Sequence, residues 1–112
     1  MTAIPIRGDL VWLDFDPQAG REQAGRRPAI VLSEEDFNEL TGFALVCPIT
    51  SSAQDYAFEV SLPEGLPFTG VVLTEQMISL DVKKRKLKVV GSVPADSDVM
   101  KAVLRNTRSI LA

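Results

Sequence analysis

The sequence predicts a mainly β protein closed by a C-terminal α-helix, built as a small barrel or a strongly bent sheet. Two patterns carry that expectation. Five or six short apolar or alternating runs follow one another at close intervals, as in small all-β folds. From Val99 the spacing changes: apolar residues fall at 99, 100, 103, 104, 110 and 111, with Thr107 completing one helical stripe. At 112 residues, 46% hydrophobic and 24% charged, the chain has material for a single domain (1–112) with one core.

The first strand is expected over Asp9 to Asp16, "DLVWLDFD", with Leu10, Trp12 and Asp14 on one face and Val11, Leu13 and Phe15 on the other. "DPQAG" has turn chemistry, and the loop it opens continues to Arg27. "PAIVLS" reads as a buried strand with Pro28 at its start, the place where a missing N–H is tolerated. "EEDFNELTG" can form one or two helical turns, capped by Ser33 and stopped by Gly42. "FALVCPIT" is a strand broken by Pro48, and "YAFEVSL" alternates like another. "GVVLTEQ" and "KLKVVGSV" complete the strands, with "MISLDVKKRK" between them as a polar crossing. Asp96 or Ser97 can cap the final helix, and Asp96 and Asp98 suit the positive end of its dipole.

Composition excludes several kinds of chemistry. With no histidine and a single cysteine, Cys47, the usual zinc sites cannot be built, nor can a Ser-His-Asp triad. A lone cysteine also excludes an intramolecular disulfide and fits a reducing cytoplasm. The N-terminus lacks a basic region followed by an apolar stretch, so no signal peptide is expected, and no apolar run is long enough to cross a bilayer. The net charge of -3 hides an asymmetry: residues 1–81 carry four Lys and Arg against thirteen Asp and Glu, whereas residues 82–112 carry eight against two. A local basic surface for phosphate is therefore compatible with an acidic chain.

The sharpest local feature is "GREQAGRRPAIVLS", Gly20 to Ser33, which puts Arg21, Arg26 and Arg27 on a glycine-flanked loop leading into a strand. Guanidinium forks pair bidentately with phosphate oxygens. Arg27 is the most constrained, because Pro28 restricts its backbone to extended conformations. Surface arginines paired with Glu22 are the commoner use of such residues. Thr50, Ser51 and Ser52 leave the end of a strand, where hydroxyl donors are well placed, although three hydroxyls in a row are also ordinary loop composition. Gln76, in "LTEQM", can read a base edge or cap a turn. "KKRKLK", from Lys83 to Lys88, can track a nucleic-acid backbone or simply protect a sheet edge. Asp14 and Asp16 share a strand face and could hold magnesium, but polar residues at a strand exit are the commoner case. Trp12 and Phe15 point to opposite faces, so one should be core while the other can stack on a base. Cys47, flanked by apolar residues, reads as inert packing.

Taken together, "RGDLVWLDFDP", "GREQAGRRPAIVLS", "VCPITSS", "FEVSL", "GVVLTEQMISLD" and "VVGSV" resemble the MazF/PemK toxin family in order and spacing over essentially the whole chain. The combination of E-Q-x-G-x-R-P, P-I-T and E-Q-x-x-S-x-D is far more specific than any one motif. The resemblance implies an SH3-like barrel of the MazF/CcdB type, working as a cytoplasmic homodimer. It implies a sequence-specific endoribonuclease that cuts single-stranded mRNA without ribosome, metal or other cofactor, silenced by a cognate acidic, MazE-like antitoxin. Matched by position, Arg27 and Thr50 take the catalytic arginine and threonine, and Glu22 and Gln23 the acidic and amide residues of the loop between the first two strands. Arg26 stands where some members carry histidine. Gln76, Ser51, Ser52 and Phe15 fall on the surface expected to hold RNA.

That activity makes sense of a histidine-free chain. The 2′-OH of RNA attacks the neighbouring phosphorus, leaving a 2′,3′-cyclic phosphate and a 5′-OH, while the protein aligns the sugar and neutralises developing charge. Glu22, the only carboxylate in the loop, is the candidate base. A groove made cationic by Arg27, Lys84, Arg85 and Lys86 would attract RNA and an acidic antitoxin tail alike. Two rivals differ in kind. A gyrase poison like CcdB depends on a C-terminal Trp-Gly-Ile, whereas this chain ends Arg-Ser-Ile-Leu-Ala and has its only tryptophan at position 12. A noncatalytic RNA- or protein-binding SH3-like module would not need Arg27 and Thr50 in this context.

Overall fold

The computed structural model describes residues 3–15 and 25–111. In order they form β1 (Asp9–Phe15), β2 (Gly25–Val31), α1 (Glu35–Thr41), β3 (Phe43–Thr50), β4 (Glu59–Ser61), β5 (Val71–Leu73), a 3-10 turn (Thr74–Gln76), β6 (Ile78–Asp81), β7 (Lys88–Ser92) and α2 (Asp98–Leu111). The strands make one antiparallel sheet in the order β4-β5-β3-β2-β1-β7, with β6 added on β3. The sheet bends strongly without closing, which is the open form of the barrel that the sequence predicts.

β3 organises this bend. One of its edges pairs with β2; the other pairs with β6 from Phe43 to Val46 and then with β5 at Ile49 and Thr50. Pro48 sits where the partner changes, so its missing N–H costs no ladder bond on that edge. The strand therefore runs through Pro48 instead of breaking there. Pro28 likewise lies inside β2, paired with Trp12, and not at its start. Toward Gly25, β2 pairs only with β1, and an edge tolerates proline.

Two further expectations are corrected. "MISLDVKKRK" is not all crossing: Ile78–Asp81 is a seventh strand, stabilised by pairing with β3 rather than by its own mixed pattern. The first residue of α1 is preceded by Glu34 as N-cap, with no side-chain capping bond. Ser33 instead donates to Asn38 Oδ1 and accepts the Leu45 N–H, tying α1 to β3. Gly42 ends α1 in the left-handed region, φ 76°, as expected of a C-cap glycine.

Each face of the sheet carries a buried apolar cluster. Leu10, Ile30, Cys47, Ile49 and Val72 meet Val99, Met100 and Val103 of α2 in one cluster. Val11, Leu13, Phe15, Ala29, Val31, Val46 and Leu80 form a second on the other face. β1 feeds both, which is why it reads as a nearly continuous apolar run. Full burial of Met100 and Val103 contributes about 1.5–3 kcal/mol each. Thr107 is buried with them and donates its hydroxyl to Leu104 O at 3.1 Å, so the stripe accommodates its one polar member. Ser97 Oγ accepts the Met100 N–H at 3.3 Å and caps α2. Among the described residues no helix is long and apolar enough to cross a membrane.

Candidate functional site

Register explains how Arg27 and Thr50 come together. The β2–β3 ladder pairs Val31 with Val46, Ile30 with Cys47 and Ala29 with Pro48. Two more steps of the same register would set Arg27 opposite Thr50, with both side chains on one face. The ladder stops short because Pro28 has no N–H to offer. β3 turns instead to β5, pairing Thr50 with Val71. A cavity of about 300 Å³ opens there, with Arg27 and Thr50 in its wall.

Thr50 is held on two sides. Its Oγ1 accepts the Ser52 N–H at 3.1 Å, which folds the chain into a tight turn and leaves the hydroxyl proton to donate elsewhere. Gly70, at φ 115°, lies directly against its backbone: a Cβ there would stand 2.1 Å from the Thr50 carbonyl oxygen. Only glycine permits that approach. Gly70 was not singled out by the sequence, where "FTG" before an apolar run reads as any loop.

Of the other expected residues, Ser52 and Gln76 line the cavity, Gln76 at the end of the 3-10 turn and not on a strand. Ser51 is exposed but does not line it. Phe15 is 5% exposed and packed in the second cluster, so its ring offers no platform to a base; Trp12, 37% exposed, is the freer ring and stands edge-on to Phe68. Cys47 is buried, as expected of packing; burial and then the charge of Glu75 push its thiol up to about 12.

Arg26 alternates away from Arg27. Its guanidinium donates to Asp14 Oδ1 at 3.0 Å and to Lys86 O at 2.9 Å. Asp14 is thus an ion-pair partner, and its backbone N–H also donates to Arg85 O at 2.7 Å. Lys84, Arg85 and Lys86 belong to the tight turn between β6 and β7, docked on this end of β1 and β2. They do not line the cavity, so the single cationic groove drawn from Arg27, Lys84, Arg85 and Lys86 resolves into two neighbouring features. Asp16, Arg21, Glu22 and Gln23 lie outside the described residues.

The sequence missed five residues of the cavity wall: Gln54, Tyr56, Glu59, Leu73 and Glu75. Glu75 was legible as the neighbour of Gln76. Tyr56 and Glu59 fall in "YAFEVSL" and Leu73 in "GVVLTEQ", runs expected to be strands of which only Glu59–Ser61 and Val71–Leu73 form, so Tyr56 stands with Gln54 on irregular chain. Two carboxylates beside one guanidinium make this a mixed surface of hydrogen-bond donors and acceptors, suited to a ligand that presents both phosphate and base edges.

Residues 6–111 match the family model described as PemK-like, MazF-like toxin of type II toxin-antitoxin system. The endoribonuclease toxin MazF of Escherichia coli K12 is 43% identical over 100 residues, covering 88% of this chain and 89% of its own. The crystal structure of MazF from Deinococcus radiodurans superposes with a TM-score of 0.90 at 46% identity, covering 98% of each chain. A MazE–MazF structure from the same organism gives 0.85, also at 46% identity, covering 98% of this chain and 97% of that one.

Proposed function

Because the chain belongs to the PemK-like, MazF-like family of type II toxin–antitoxin toxins, whose relatives include named endoribonucleases, we propose that it is a sequence-specific endoribonuclease acting on single-stranded mRNA. The observation that carries this reading is the shared cavity of Arg27 and Thr50. The substrate supplies its own nucleophile. The 2′-oxygen forms a bond to phosphorus, the 5′-oxygen leaves with the electrons of the broken P–O bond, and a 2′,3′-cyclic phosphate and a 5′-OH result. One proton leaves the 2′-OH and one arrives at the 5′-oxygen.

In that scheme the Arg27 fork neutralises the non-bridging oxygens as they gain charge, and the Thr50 hydroxyl donates to one of them. Glu22 takes the 2′-OH proton. Ser52 and Gln76 hold the flanking nucleotide, and the basic turn at Lys84, Arg85 and Lys86 meets the backbone further along. No metal or cofactor enters the scheme. The same surface, in a cytoplasmic homodimer, is where an acidic antitoxin segment of the MazE kind would compete with RNA.

Incubation of the purified protein with a long RNA in EDTA, followed by end mapping, tests the reading. Cuts at a short recurrent motif, with cyclic-phosphate ends on one side and 5′-OH on the other, are expected. Cleavage only with added magnesium, or none under any condition, overturns it.

A further inference from the structure

The cavity wall is drawn from Arg27 of β2, Thr50 at the end of β3, Glu59 at the start of β4, the end of β5 with the 3-10 turn, and the connection 51–58. Only the last has no strand or helix to hold it, and every residue in it is exposed. An exposed irregular segment keeps its side chains in place only if something offsets the entropy of ordering it. Its first turn is tied by Thr50, and its last carbonyl, Phe58 O, accepts the Thr74 hydroxyl and the Asn106 amide.

Between these ends the described hydrogen bonds converge on one side chain. The Glu59 carboxylate accepts the Gln54 N–H at 3.0 and 3.2 Å and the Asp55 N–H at 3.0 Å. Its own N–H donates to Tyr56 O at 3.1 Å. Asp55 meanwhile sits at φ 59°, a left-handed conformation that L residues adopt at a cost. Charge-assisted bonds to backbone N–H groups are well suited to hold such a kink.

We propose that Glu59 is a positioning residue: its carboxylate folds the connection so that Gln54 and Tyr56 stand at the cavity rim and engage the bases beside the scissile phosphate. Tyr56, 47% exposed, presents a ring for stacking, and the Gln54 amide presents a donor and an acceptor. Glu59 acts through these two and takes no proton in the reaction, because its oxygens are already engaged by backbone donors. The inference rests on the endoribonuclease reading and extends it to how substrate is held.

The test uses the full-length protein and an RNA oligonucleotide spanning the site mapped in the long-RNA experiment. For Glu59→Ala, KM is expected to rise about tenfold with kcat within twofold, the signature of lost uniform binding. Glu59→Gln keeps an acceptor oxygen and should bring KM back to within about threefold of wild type. Tyr56→Ala should also raise KM, and the E59A/Y56A double variant should fall short of the sum of the two single effects, because part of what Glu59 does passes through that ring and the rest through Gln54. Amide hydrogen exchange at Gln54 and Asp55 should accelerate in E59A and not in Y56A. An unchanged KM in E59A, a loss confined to kcat, or full additivity of the double variant overturns the role of Glu59. Failure of the wild-type protein to cut RNA at all overturns the parent reading instead.

Discussion

Gly70→Ala is the substitution that most directly probes how the site is held. The residue sits at φ 115°, and a Cβ would meet Thr50 O at 2.1 Å, with Thr50 C and Ser51 Cα both at 2.8 Å. Real Cβ atoms essentially never come within 3.0 Å of another atom, and all three neighbours are backbone, which cannot rotate away. The Thr50–Ser51 segment or the Gly70 segment must therefore give by about 1 Å, against the ladder that pairs Thr50 with Val71 and the bond from Leu62 N–H to Gly70 O. The left-handed conformation costs ~1–2 kcal/mol for a residue with a Cβ, and overpacking typically adds ~1–3 kcal/mol. A total near ~3 kcal/mol corresponds to a fall in Tm of roughly 12–24 °C for a domain of this size.

The control is Gly65→Ala. Gly65 also has a positive φ, 88°, but nothing lies within 4 Å of its Cβ position. It pays the conformational cost alone, about 1–2 kcal/mol. Thermal unfolding of both variants, read by near-UV circular dichroism, separates the two costs. RNA cleavage measured well below each Tm then reports the geometry: a displacement of Thr50 by ~1 Å should cost on the order of 100-fold in kcat for G70A and leave G65A close to wild type. A G70A protein as stable and as active as G65A would refute the claim that Gly70 seats the Thr50 strand end.

Other outcomes follow from the same geometry. Arg27→Ala should lower single-turnover cleavage by ~100- to 1000-fold, as loss of a preorganised charge donor does, and Arg27→Lys should recover only part of this because a point charge cannot reproduce the fork. Glu22→Gln should cut the rate of single-turnover cleavage; wild-type rates in that variant would remove Glu22 from the role of base. For Cys47, the folded thiol titrates near 12 against an ordinary 9.0, so the unfolded chain ionises first. Its contribution to stability is complete below pH 9 and is lost as pH rises toward 12, at up to about 1.4 kcal/mol per pH unit. Urea unfolding of wild type and Cys47→Ala between pH 8 and 10.5 should show that extra alkaline slope only when the thiol is present.

Elements with strong local patterns were legible: the apolar run of β1, the stripe of α2 through Thr107, and the glycine stop of α1 all match what hydrophobic pattern and capping demand. Prolines were misread, because a proline's cost depends on whether its N–H faces a partner, and that is decided by tertiary pairing. β6 was missed for the same reason: "ISLD" has little strand character until β3 supplies its ladder. Within the site, the backbone restriction that Pro28 places on Arg27 was readable, and so was the position of Thr50 at a strand end. Tyr56, Gln54 and Glu59 were not, since they reach the cavity through a side-chain-to-backbone clamp. The assignment of Phe15 to the RNA surface failed on burial: alternation said which face the ring takes, and only the packed sheet showed that this face is interior.

The two misread prolines also account for the cavity itself. An antiparallel ladder carried past Ala29 and Pro48 would close β2 onto β3 and leave no room between Arg27 and Thr50. Pro28 cannot supply the donor that such closure needs, and it also holds Arg27 extended. Pro48 lies where β3 exchanges β6 for β5, so the strand changes partner on that edge without stranding a buried N–H. The strands therefore diverge at the point where their side chains still face each other. A guanidinium and a hydroxyl brought to opposing walls by register, yet kept apart by a defect in the same register, form a gap that a phosphate can enter. The site is in this sense a property of the sheet's hydrogen-bond ladder, and its rigidity comes from the same strands that build both hydrophobic clusters.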